Sequence, residues 1–92
     1  MIRAAIIAAL AASPVHAETK CAPRAAVIAA LATKYAETRQ SIGISENGLV
    51  MEVFASKTGT WTITVTTPPG MTCLVASGYG FEKITEPLGV PG

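Results

Sequence analysis

The side chains with which this chain could do covalent or acid–base chemistry are few. It has two cysteines, Cys21 and Cys73, one histidine, His16, and six acids, all of them glutamate. The cysteines stand 52 positions apart, too far for the C-x-x-C of a dithiol redox site. Zinc takes about four Cys, His or carboxylate ligands, and the cysteines have too few companions to make such a set. Two cysteines permit one intramolecular pairing. We expect a Cys21–Cys73 disulfide, with pairing between chains as the alternative, and neither metal nor cofactor. In the chain-entropy view a loop of that length is worth ~4 kcal/mol.

Among the acids, Glu52 is the one placed within an expected strand. Glycoside hydrolysis by two carboxylates would need a second glutamate close to it in space, and Glu46, Glu82 and Glu86 fall in a turn or near the C-terminus. Gly78-Tyr79-Gly80 is too short for a phosphate-cradling loop. The expectation is a non-catalytic binding domain. The enzymatic alternative is a cell-wall polymer hydrolase using Glu52, and a third reading is an envelope or phage-associated structural accessory protein.

The N-terminus reads as a secretory signal peptide, Met1–Ala17. Arg3 supplies the early positive charge, Ala4–Ala12 is an uncharged apolar run, Ser13 and Pro14 break it, and Val15-His16-Ala17 suits a cut after Ala17. The run is shorter than the ~20 apolar residues of a membrane span, so no anchor is expected after cleavage. Localisation is then periplasmic or secreted. Cleavage would remove the single histidine, without which neither Ser-His-Asp nor Cys-His catalysis can be built. It would also leave six basic residues against six acids, a neutral balance that offers no patch for nucleic acid. The partner expected is a protein or a second copy of the chain.

These residues must be carried by a small number of elements. Ala22–Gln40 reads as a helix ending near Arg39, with Pro23 in its first turn and Val27, Ile28, Leu31 and Tyr35 as an apolar stripe. Lys34, Glu37 and Arg39 mark its wetter side. Four strands follow: Ser41–Ser45, Leu49–Ser56, Trp61–Thr66 and Thr72–Ser77. Asn47-Gly48 is a strong hairpin signal, and Lys57-Thr58-Gly59 and Pro68-Pro69-Gly70 are turns. Gly78 and Gly80 suggest a bend. Alternation puts Trp61, Ile63, Val65, Met51 and Val53 on one face, and the helix is expected to cover them. The row Thr60, Thr62, Thr64, Thr66 would face solvent, as would Glu52. No internal repeat is evident. The fold class is α+β: an N-terminal helix on a four-stranded antiparallel meander, with residues 18–84 as one domain and 85–92 as a flexible C-terminal tail.

The candidate binding surface is Phe54, Tyr79, Phe81 and Glu52. Phe54 on the outer face would make an apolar spot suited to a partner; in a strongly twisted sheet it would instead belong to a second core. Tyr79 and Phe81 flank a glycine and could anchor a partner or pack on the sheet edge. Three segments, Cys21-Ala22-Pro23-Arg24, Glu52-Val53-Phe54-Ala55 with Gly59-Thr60-Trp61-Thr62, and Pro69-Gly70-Met71-Thr72-Cys73-Leu74, together resemble small exported proteins of unassigned function from Gram-negative bacteria and phage-derived regions. That resemblance implies export and brings no known activity, substrate or site residues with it. Ser77-Gly78-Tyr79 alone is similar to a Ser-Gly loop near a Tyr in one group of periplasmic lysozyme inhibitors.

Overall fold

The computed structural model describes residues 20–91; the expected signal peptide lies outside them. A short strand β1 (Cys21–Pro23) precedes the helix α1 (Arg24–Tyr35). Four longer strands follow: β2 (Thr38–Ile44), β3 (Val50–Ala55), β4 (Trp61–Thr66) and β5 (Met71–Gly78). They form one antiparallel sheet in the order β1-β5-β4-β3-β2. The meander and its turns match expectation. The sheet has five strands rather than four, because Cys21-Ala22-Pro23 pairs with β5 before the helix begins.

Three hairpin turns share one design. Ser45, Ser56 and Thr67 each donate a backbone N–H to the carbonyl four residues on, at 2.9 Å. The glycine at the fourth position, Gly48, Gly59 or Gly70, returns an N–H to the first residue's carbonyl. Each of these glycines has positive φ, as the last residue of a three-residue hairpin loop requires. The side chains of Ser45 and Ser56 also accept the N–H of Leu49 and Thr60 at 3.1 Å. Ser/Thr-x-x-Gly therefore recurs every eleven residues, a periodicity too sparse to stand out against the strands' own alternation.

The helix ends earlier than its composition suggests. Ala36 turns left-handed at φ 55°, and the Glu37 N–H reaches back to the Leu31 carbonyl at 3.0 Å. Thr38, Arg39 and Gln40, expected in the helix, instead open β2. β2 has one residue more than its partner needs: the register shifts between Arg39 and Ser41. Such a bulge switches the face of what precedes it. Here it brings Arg39 opposite Phe54. A second shift, beside Ile63 and Thr64, does the same in β5, leaving Val75 unpaired and setting Ser77 opposite Thr62.

The helix covers the face opposite to the one expected. Val27, Leu31 and Phe54 form the buried cluster, and Glu52, Thr62, Thr64, Thr66 and Thr72 are buried on the same side of the sheet. Trp61, Ile63, Val65 and Val53 are only half-buried, and Met51 is exposed. Topology accounts for this. Four antiparallel pairings in a row make β1 and β2 parallel, so β1-α1-β2 is a crossover, and its near-universal right-handedness leaves the helix one face whatever that face's polarity. Twelve helical residues extend about 18 Å, close to the about 19 Å that separates the first and fifth strands of a sheet. Val27 and Leu31 are the helix residues buried over this face. Thr66 and Thr72 hydroxyls bond each other at 2.7 Å. The buried Thr64 hydroxyl has no partner among the described residues.

Two changes test this packing. Thr64→Val removes an unsatisfied buried hydroxyl without changing volume much, and should stabilise the fold by about 1 kcal/mol, read as a higher denaturant midpoint at unchanged slope. Ala36→Gly relieves a left-handed alanine and should stabilise by about 0.5–1 kcal/mol, seen as a higher thermal midpoint.

Candidate functional site

The structure separates the four expected surface residues. Phe54 is 2 % exposed and packs on the helix, so it belongs to the core and offers no outer apolar spot. The physical reason is the face reversal described above. Glu52, expected on a solvated face, is fully buried on that same side. Tyr79 is 86 % exposed just beyond β5. Phe81 is half-buried beside the β3–β4 turn, its N–H bonded to the Gly59 carbonyl at 2.9 Å. Tyr79 and Phe81 thus lie beyond the end of β5 and form no common surface with the buried Glu52 and Phe54. Ser77 and Gly78 end a strand and form no loop.

Glu52 is held by two arginines. Its Oε1 accepts the Arg24 Nε–H at 3.1 Å, and its Oε2 accepts Arg24 Nη2 at 2.6 Å and Arg39 Nη1 at 3.1 Å. Arg24 opens the helix and Arg39 owes its place to the β2 bulge. Burial alone would push the Glu52 carboxyl upward. The hydrogen bonds and charges of Arg24 and Arg39 outweigh it and hold the group below the usual carboxylate range. A carboxylate with both oxygens taken and no exposure is closed to a polymer substrate.

The cysteines pair as expected: Cys21 and Cys73 are directly opposite each other across β1 and β5 and form the disulfide. Trp61 packs over Gly78, where a Cβ would stand 2.9 Å from the indole. Its Nε1–H donates to the Tyr79 carbonyl at 3.1 Å, which fixes the end of β5.

Two open features remain. The first is the outer edge of β2, to which no other strand among the described residues pairs. Ile42 and Ile44 are exposed along it. An apolar groove of about 380 Å³ lies beside its last turn, lined by Gly43, Ile44, Ser45, Leu49, Met51 and Val65. It adjoins the sheet face that no helix covers. The second is a cleft of about 290 Å³ at the other end of the strands, where the helix ends over β4 and β5. Glu37 lines it. The sequence reading leaves Glu37 on a wet helical face because nothing at Ala36 signals a stop; the left-handed turn there swings it inward until it is 3 % exposed. The groove residues Gly43 and Leu49 carried no signal beyond strand alternation.

Comparison with protein-family models, with curated proteins and with solved structures finds no match.

The Glu52 cluster predicts an acid limb. A group whose folded pKa lies below its unfolded one contributes stability above the unfolded value, and loses it as pH falls through the folded one. Stability should therefore be flat in this respect above about pH 5 and decline below about pH 4. Glu52→Gln should cost about 3 kcal/mol at neutral pH, the low end for a broken buried pair because both guanidiniums are partly in water, and should flatten the acid limb. Urea titrations across pH measure both.

Proposed function

We propose that this chain is an exported, non-catalytic binding domain that captures an extended segment of another chain along the free edge of β2. The observation that carries the reading is the pairing of an open strand edge with an apolar groove beside it. Main-chain bonding to such an edge supplies affinity, and pockets for alternate side chains supply selectivity. Native sheet proteins usually blunt their edges with lysine, proline or a bulge. In β2 the bulge falls at Gln40, so Ser41–Ile44 is left without charge or proline. Glu52 gives no support to a hydrolase reading, since the arginines occupy it. Export is supported by the pattern of Met1–Ala17, and the disulfide accords with an oxidising compartment. The partner is a protein, which includes a second copy of this chain.

Site-specific photocrosslinking in intact cells tests this. A Cβ at Gly43 would meet no other atom within 4 Å, so a photoreactive side chain fits there. It should give adducts to another chain, and Ile44→Lys in the same protein should abolish them. The same probe at the exposed Lys57 turn should give none. Equal adducts at both positions, or none at Gly43, overturns the reading.

A further inference from the structure

The cleft at the helix end raises a separate question, independent of the β2 edge, because of one atom in it. Glu37 Oε1 is buried and has no hydrogen-bond partner among the described residues. No ion pair to Glu37 exists among them either; both ion pairs belong to Glu52. Buried polar atoms in folded proteins are almost always satisfied, and a buried carboxylate oxygen without a partner is a costly exception. A partner that enters from outside resolves that cost.

The walls define what enters. Leu31 and Leu74 are apolar, Thr62 and Ser77 bear hydroxyls, and Tyr35 and Tyr79 stand exposed at the rim. No lysine or arginine lines the cleft. Lys20 and Lys34 line a neighbouring cleft that shares only Leu31, Tyr35 and Leu74 with it. A buried carboxylate oxygen in a cleft that also presents leucines and two exposed tyrosines suits a cation on a short hydrocarbon stem. The carboxylate makes a charge-assisted bond, the leucines take the stem, and tyrosine faces attract positive charge. The volume, about 290 Å³, is at the small end of ligand sites and suits one such group.

We infer that the cleft binds a primary alkylammonium group with Glu37 as its counter-ion. The group is carried either by a free amine or by a lysine side chain of a peptide.

Trp61 is the only tryptophan of the chain and lines the cleft, so its emission reports on occupancy. The purified protein is titrated with n-pentylammonium chloride, with Nα-acetyl-lysine N-methylamide, and with pentan-1-ol as the neutral counterpart. The expected result is a saturable emission change, with amide shifts at Thr62, Ser77 and Gly78, for at least one cation. Pentan-1-ol should bind about tenfold more weakly or worse, the loss of one charge-assisted contact. The cation that binds more tightly assigns the source. Glu37→Gln should bring the cation's affinity to that of the alcohol. Tyr79→Ala alters an exposed side chain and leaves the fold alone; it should weaken the cation more than the alcohol. Equal binding of cation and alcohol overturns the inference. So does a cation that binds Glu37→Gln and Tyr79→Ala as it binds the parent, or the absence of any saturable change with both cations. None of these outcomes bears on the crosslinks at Gly43.

Discussion

The Arg24–Glu52–Arg39 cluster is the contact on which the rest of the architecture leans. It joins the first residue of the helix, the bulged part of the edge strand and the middle of the sheet at one carboxylate. Arg24 would be poorly placed by itself, since a cation in the first helical turn opposes the helix dipole. Glu52 would be worse placed, since a buried carboxylate is costly without partners. Each is tolerable because of the other. Glu52 also sets a requirement on β2: Arg39 reaches the helix side only because Gln40 is extra. The bulge is thus tied to an ion pair 13 residues away in sequence.

The interior around this cluster is unusual in its polarity. Val27, Leu31, Phe54 and Ala55 are its buried apolar members, against four buried threonines and two buried glutamates among the described residues. Little apolar area is withdrawn from water for a domain of this length, and small domains are marginal even with good cores. The disulfide closes a separation of 52 residues, a cross-link of the kind on which small domains often rely. The more apolar half of the sheet stays outside the helix's cover.

Much of the local structure was legible in the residues. Alternation at Trp61–Thr66 located β4, and three glycine turns fixed the meander, because turn chemistry and period are local properties. The odd spacing of those turns keeps even-numbered positions from Ile42 to Leu74 on one face, as the pairings show. Which face the helix would take was not legible, since hydrophobicity favoured the tryptophan side while topology decided otherwise. Strand β1 escaped notice because three residues carry no period, and it was β1 that turned the helix into a crossover. The end of the helix escaped because Ala36 carries no glycine or proline stop. Glu37, with the cleft it lines, escaped with it. Phe54 and Glu52 stand out in the sequence, but their roles depend on which face the helix covers, and alternation alone does not set that face.

The hairpins and the first strand differ in when their partners become available. Every pairing among β2, β3, β4 and β5 joins strands adjacent in sequence, so each can close as soon as its turn is made. β1 has to wait for β5, the last strand of all. In a chain that emerges from its N-terminus, Cys21 appears early and its partner appears only after the whole meander. Throughout that interval the Cys21 thiol has no native partner. Closing β1 against β5 sets the two sulfurs side by side, so the last pairing of the sheet and the covalent bond hold the same two strands.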